Sequence, residues 1–247
     1  MEEITRPKVH FITFGTYPKY KNALDHLCKE AIESGYFDTI SVYNQTHLNL
    51  NKEIFEIFIR TRGFGFWVWK PLIINSMINN LPIGDILIYA DAGCGISVTP
   101  EAKDTYKYII DMIINHPTHR IGLQMPHIED KYTKEDIFQY LECTGNEYRE
   151  TGQYAATIQF YQVTEDNRKF IKEWLDKCLA DNLHFISDNP TRIPSPKIPS
   201  PFIDNRHDQS IRSVLLKKYG CFSIEDPWMA PYFPIMALRR RNPPPLI

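Results

Sequence analysis

A single α/β domain built on a mostly parallel, doubly wound sheet is predicted by three observations. Strand-like apolar runs alternate with helical patterns along the chain, and Gly and Pro punctuate the turns between them. The 247 residues, 43% of them hydrophobic, fill one large core but not two comfortable ones.

Val9 to Gly15 (VHFITFG) is an apolar run closed by Gly and reads as the first strand. Lys19 to Ser34 follows as a helix, with Leu24, Leu27, Cys28 and Ala31 along one face and Gly35 as its stop. Thr39 to Tyr43 (TISVY) is a second strand and Lys52 to Ile59 a short helix. Pro71 opens a helix over Leu72 to Asn80, and Pro82-Ile83-Gly84 turns the chain into the strand Asp85 to Ala90. Pro100 starts a long helix through Tyr106, Ile109, Ile110 and Ile113. Arg120 to Met125 is then a strand and Lys134 to Leu141 a helix. Tyr154 to Thr164 is a strand pair or one long strand, and Asn167 to Leu179 an amphipathic helix through Phe170, Ile171, Trp174 and Leu175. Prolines at 190, 194, 196, 199 and 201 exclude regular helix, so 186–202 is expected to be a loop or lid. Asp208 to Lys218 is the last helix, stopped by Gly220, and 235–247 is expected to be a flexible tail. The chain shows no internal repeat.

Composition narrows the function. A net charge of -2 gives no general basic field for nucleic acid, so any affinity for phosphate has to come from a local site. Cys28, Cys94, Cys143, Cys178 and Cys221 stand singly with no CxxC pair, which suits reduced thiols in a cytosol-like compartment and argues against zinc fingers. The acidic start MEEITRPKVHFITFG is not a secretory signal, and no run approaches the roughly 18 apolar residues of a membrane span. A soluble, cytoplasmic protein without stable membrane insertion is expected. The apolar tail with three Arg reads as a frayed terminus, with a membrane-surface contact as the alternative.

The chemistry-bearing segments are few. In DILIYADAGCG (85–95) an apolar strand ends on Asp91, set among small residues. In a doubly wound sheet that position is the rim where ligands bind, and Ala92-Gly93 leaves room for a ligand or metal to approach the backbone. Asp91 as a cap for the following turn is the alternative. RGFGFWVWKP (62–71) combines flat aromatic surfaces with two cations that a core would not choose, Arg62 and Lys70. At least two of Phe64, Phe66, Trp67 and Trp69 are expected to be core packing. RHDQSI (206–211) puts Asp208 and Gln209 in the first turn of a helix, where free N–H groups favour anions and hydroxyl-rich ligands, and Asp208 as a plain helix cap is the competing reading. His207 is either a ligand to metal or phosphate or an ordinary surface residue. TKED (133–136) has the form of a capping box, with Asp136 in place of Glu. The chain has no HExxH, GxSxG, P-loop or GxGxxG pattern.

Taken together and in this order, RGFGFWVWKP, YADAGC (89–94), TGQYAA (151–156) and RHDQSI resemble a small group of GT-A fold glycosyltransferases from bacterial and viral surface-glycan pathways, over about Val9 to Gly220. The resemblance implies a GT-A fold and a nucleotide-sugar donor transferred to a glycan or other hydroxyl acceptor. It implies a divalent cation, Mn2+ or Mg2+, at Asp91 and His207. It also implies donor contacts from Thr13, Gly15, Arg62, Lys70, Tyr89, Ala90, Asp91, Ala92, Gly93, Lys134 and Gln153. Asp208 would be the catalytic carboxylate and Gln209 its positioning partner. The chain departs from the family's Asp-x-Asp at Gly93, which leaves one carboxylate, water and phosphate oxygens to hold the metal. A nucleotide-sugar or phosphoester hydrolase and an inactive carbohydrate-binding protein are the competing functions.

Overall fold

A computed structural model describes residues 6–227, 229–241 and 243–244. The elements run β1 (Val9–Phe14), α1 (Lys21–Ser34), β2 (Thr39–Tyr43), α2 (Lys52–Arg60), α3 (Gly63–Phe66), α4 (Trp69–Asn80), β3 (Ile86–Asp91), β4 (Gly95–Ile96) and α5 (Pro100–Asn115). They continue with β5 (Arg120–Ile128), α6 (Glu129–Tyr132), α7 (Glu135–Tyr140), α8 (Asn146–Arg149), β6 (Gly152–Tyr154), β7 (Ile158–Gln162), α9 (Glu165–Leu183), α10 (Asp208–Tyr219), β8 (Phe222–Glu225) and β9 (Ile235–Met236).

Seven strands form one sheet in the order β2-β1-β3-β7-β5, with β6 beside β7 on one edge of β5 and β8 on its other edge. β1 pairs in parallel with β2 and β3, and β5 with β8. β7 runs antiparallel between β3 and β5, and β6 antiparallel to β5. Five strands therefore point one way and two the other, and the expected mostly parallel α/β sheet is present.

Strand alternation divides the core into two layers. Ile12, Phe14, Leu87, Tyr89 and Tyr161 face Ile74 and Ile78 of α4, Trp174 of α9 and Val214 of α10. Val9, Phe11, Ile86, Ile88 and Phe160 face Leu27 of α1 and Ile109 and Ile113 of α5. Each helix lays its apolar stripe on the sheet, which accounts for the periodicities in the sequence.

Several boundaries differ for identifiable reasons. α4 begins at Trp69, so Pro71 lies inside the first turn, where its missing N–H leaves no bond unmade. β6 and β7 are separate strands, the pair rather than the single long strand. α9 is capped by the Thr164 side chain, and its regular part ends near Leu179 because Asp181 and Asn182 adopt positive φ. The capping-box form of TKED is not realised. Thr133 Oγ1 donates to Glu129 Oε1 at 2.6 Å, and Asp136 accepts the N–H groups of Arg192 and Ile193. The Pro-rich stretch has no regular helix, as expected, and it is pinned. Lys197 Nζ lies 2.6 Å from Asp130 Oδ2 and 3.0 Å from Glu150 Oε1, and Ile203 N donates to Lys131 O.

The described residues of the expected tail make contacts with the rest of the fold. β9 pairs with β4, Arg240 N donates to Gly93 O at 3.0 Å, and the Arg240 guanidinium lies 2.6 Å from Glu30 Oε1. Residues 242 and 245–247 of that expectation lie outside the described residues. Among the described residues no helix is long and apolar enough to cross a membrane.

Candidate active site

β3 carries the buried run Ile86 to Ala90 between β1 and β7 and ends on Asp91, whose side chain is 33% exposed. The turn after it closes when Cys94 N donates to Asp91 O at 2.9 Å. Tyr89, two residues back and so on the same face, donates its hydroxyl to Asp91 Oδ1 at 2.5 Å. Lys70 comes from the first turn of α4 and places Nζ 3.0 Å from the same oxygen. The Lys70 side chain is only 4% exposed. Burial pushes its ammonium down, but the Asp91 and Asp208 carboxylates outweigh that and leave its pKa above the ordinary lysine value.

Asp208 opens α10 and is buried, with Oδ2 lacking a hydrogen-bond partner among the described groups. Burial raises its carboxyl pKa to about 7, with Lys70 opposing and Asp91 adding to the shift. Gln209 Oε1 accepts the Ala156 N–H at 3.0 Å, and its Nε2 donates to Gln153 Oε1 at 2.7 Å. Gln153 is anchored in turn by donating to Glu129 Oε1. One turn along α10, Arg212 donates to Ala155 O and to the Tyr161 hydroxyl, and its Nη2 has no partner among the described groups.

Lys70 Nζ also donates to Ala156 O at 3.1 Å. Four distant segments, α4, β3, the β6–β7 link and α10, thus meet at Ala155-Ala156. This brings Lys70, Tyr89, Asp91, Gln153, Asp208 and Gln209 together. Arg212 and Tyr161 were not among the candidates. The available signal was an Arg inside the apolar stripe Ile211, Val214 and Leu215, four residues after Asp208.

Other candidates stand elsewhere. Thr13 alternates with Ile12 and Phe14, so its side chain lies on the opposite face of the sheet from Tyr89 and Asp91, and its buried hydroxyl has no partner among the described groups. Ala90 belongs to that opposite core, and Ala92 packs on Ala23 and Leu24 of α1. Gly15 N donates to Tyr43 O at 3.1 Å, fastening β1 to β2. Gly93 does permit a close approach, but by the chain itself: a Cβ there would sit 3.0 Å from Arg240 O. Lys134 is buried and donates to His184 O at 2.8 Å, tying α7 to the turn after α9, and burial pulls its ammonium down to about 8.

The aromatic segment divides as expected. Trp69 stacks on Phe14 at 4.0 Å, and Phe64 meets Phe58 edge to face. Phe66 and Trp67, partly buried against the same core, also flank the His207 ring, at 5.7 and 4.9 Å. His207, Phe64, Phe66 and Trp67 all have positive φ, a concentration of backbone strain beside Asp208. His207 Nδ1 donates to Ile186 O at 2.7 Å, and Nε2 lies 3.7 Å from Asp188 Oδ1. Burial lowers the His207 pKa. Arg62, half exposed, reaches 3.5 Å from both Asp188 and Asp204. A hollow of about 420 Å3 on α1, bounded by Asp25, Cys28 and Lys29, shares no residue with the Asp91–Asp208 cluster.

No protein-family model matches the sequence, and no curated protein matches it. Among solved structures the chain is similar to the apo WbbM bifunctional glycosyltransferase, at 11% identity over 92% of this chain and 40% of that one, with a TM-score of 0.50. The fold is one that glycosyltransferases use. The chain is also similar to mouse xyloside xylosyltransferase 1, at 9% identity over 88% of this chain and 84% of that one, with a TM-score of 0.47. A third similar structure is a glycosyltransferase involved in glycosylation of the PBCV-1 major capsid, at 13% identity over 80% of this chain and 81% of that one, with a TM-score of 0.40. The chain spans less than half the length of the WbbM structure.

The sheet and its flanking helices agree with the GT-A fold expected from the sequence. The side chains around Asp91 do not fit the divalent-cation site that the resemblance implied. Among the described residues no three His, Cys, Asp or Glu side chains come together as metal ligands. Asp91 Oδ1 already meets an ammonium, and His207 Nδ1 is bonded to Ile186 O, which leaves Nε2, without a hydrogen-bond partner among the described groups, as its one free ring nitrogen.

Proposed function

We propose that the chain is a glycosyltransferase that moves a sugar from a nucleotide-diphosphate sugar to a hydroxyl of a glycan acceptor. The observation that carries this reading is the convergence of Asp91, Lys70 and Asp208 at the carboxyl rim of the parallel strands. Glycosyl transfer builds positive charge on the anomeric carbon while a diphosphate leaves with added negative charge. Fixed charges of both signs, already in place, stabilise that separation without reorganising.

In this reading Lys70 and Arg212 stand on the diphosphate side and Asp208 on the sugar side. A carboxyl with a pKa of about 7 exchanges a proton readily at neutral pH, so Asp208 can take the proton of the acceptor hydroxyl in an inverting reaction. In a retaining reaction the same carboxylate faces the cationic sugar, and the anomer of the product distinguishes the two. Gln209, clamped between Ala156 N and Gln153, orients donor hydroxyls. The flat faces of Phe66 and Trp67 with the carboxylates of Asp188 and Asp204 suit an acceptor sugar ring. Free cysteines throughout the described residues and the absence there of a membrane-spanning helix support a soluble enzyme of a reducing cytoplasm.

The test incubates the protein with UDP-, GDP- and dTDP-sugars and a panel of methyl glycosides. Chromatography follows nucleotide release and NMR the product. Acceptor-dependent release with a new glycosidic linkage is expected. Sugar released to water at a rate indifferent to acceptor would make the protein a hydrolase, and glycan binding without nucleotide binding would make it a lectin-like module.

A further inference from the structure

Resting on the nucleotide-sugar reading above, we infer that Lys70 takes the place of the divalent cation at the diphosphate, so that this chain binds and activates its donor without a metal ion. The argument begins with ligand supply. Magnesium and manganese are held by one or two carboxylates with substrate phosphates and water, in a shell of six oxygens. At the β3 rim that carboxylate is Asp91 alone, because the chain has Gly93 where the family's second Asp stands.

Asp91 is also already engaged. Its Oδ1 meets the Lys70 ammonium at 3.0 Å and the Tyr89 hydroxyl at 2.5 Å. A dication on this carboxylate would have to settle beside a like charge. Lys70 cannot swing away as a surface lysine would. Its stem is buried in the first turn of α4, Nζ is held by Ala156 O at 3.1 Å, and the ammonium lies 5.3 Å from the Tyr89 ring and 5.7 Å from the Trp69 ring. The cation is therefore permanent and fixed in position.

What remains of Lys70 is what a diphosphate needs. An ammonium has three N–H donors, and Asp91 and Ala156 O account for two. A compact point charge is an effective phosphate binder, and in a buried setting its attraction for an anion is weakly screened. The Arg212 Nη2, also buried and without a partner among the described groups, supplies a second fixed cation on the same β6–β7 link. Asp91 then acts as the group that holds the ammonium in position rather than as a metal ligand.

The experiment is isothermal titration of the wild-type protein with UDP, GDP and dTDP, once in EDTA and once in millimolar manganese. Affinity for the preferred diphosphate should agree between the two conditions within about threefold. Lys70→Met should weaken binding in EDTA by about 30-fold or more, while added manganese restores part of it, because Asp91 is then free to take the ion. Should Lys70→Met fail to fold, Lys70→Arg keeps the charge and should bind equally with and without manganese. A gain of about tenfold or more on adding manganese to wild type, lost in Asp91→Asn, would overturn the assignment and leave the transferase reading standing. No binding of any diphosphate in either condition would overturn that reading and this assignment with it.

Discussion

The Asp208 carboxyl sits at the start of α10 with one oxygen unpartnered, facing Lys70, Asp91 and Arg212, and burial raises its pKa to about 7 from 3.8. The folded state then keeps a proton that the unfolded chain has released, so this group lowers stability as pH climbs from about 4 to about 7. With roughly three units between the two states the effect is bounded by about 4 kcal/mol. Asp208→Asn should therefore unfold at the same temperature as wild type near pH 4 but at a higher temperature at pH 8, while transfer falls by about 100-fold or more. A uniform loss of melting temperature across pH would instead mark Asp208 as a helix cap. Lys134 gives the opposite sign. Its ammonium, at about 8, lies below the unfolded value of 10.5, so wild-type stability rises with pH between those values. Lys134→Met should be relatively most stable at pH 7, lose that advantage by pH 10, and leave kcat/KM within about twofold of wild type, where a donor contact would cost far more.

At the scale of elements, the strands and long helices were legible because their cause is local. Ile86 to Tyr89 is apolar without interruption, as a strand buried on both faces must be, and α1, α5 and α9 repeat their apolar residues every three or four positions. Asp91 and Asp208 could be found one at a time for the same reason, each lying at an element's end. Their meeting could not be read, because it depends on how the β6–β7 link crosses between α4 and α10. Thr13, a donor contact that the resemblance implied, alternates with Ile12 and Phe14, which sends its side chain to the far face. Gly93 misled because a small residue signals a close approach but not which neighbour makes it. The α3 segment is the element with the most at stake, because it sets where α4 and hence Lys70 begin. Gly65 there has φ +83, and a Cβ would stand 2.7 Å from the Phe58 ring. Gly65→Ala should cost about 2 kcal/mol or more in urea unfolding and weaken diphosphate binding in proportion as Lys70 shifts.

For the whole molecule, the C-terminal segment connects parts of the fold that the sheet alone leaves independent. It pairs β9 with β4, bonds Arg240 N to Gly93 O, and sets the Arg240 guanidinium on Glu30 of α1. Beyond it, Pro243 O and Pro244 O are hydrogen-bonded by Asn22 and His26 of the same helix. Gly93 lies two residues past Asp91, so this strap buttresses the turn that aims the carboxylate at Lys70. Each of the bonds made by Arg240, Pro243 and Pro244 contributes about 1 kcal/mol net, so removing residues 239–247, which leaves β9 in place, should lower the melting temperature by several degrees without unfolding the sheet. The sharper consequence is local. Amide exchange at Gly93 to Gly95 should accelerate while exchange in β1 and β3 stays at wild-type rates, because only the turn loses its support. Gly93→Ala reaches the same strap from the other side, its Cβ pressing on Arg240 O at 3.0 Å, and should raise exchange over the same three residues. If neither change alters exchange there, the Asp91 turn is held by the sheet, and the ion pair with Lys70 owes nothing to the end of the chain.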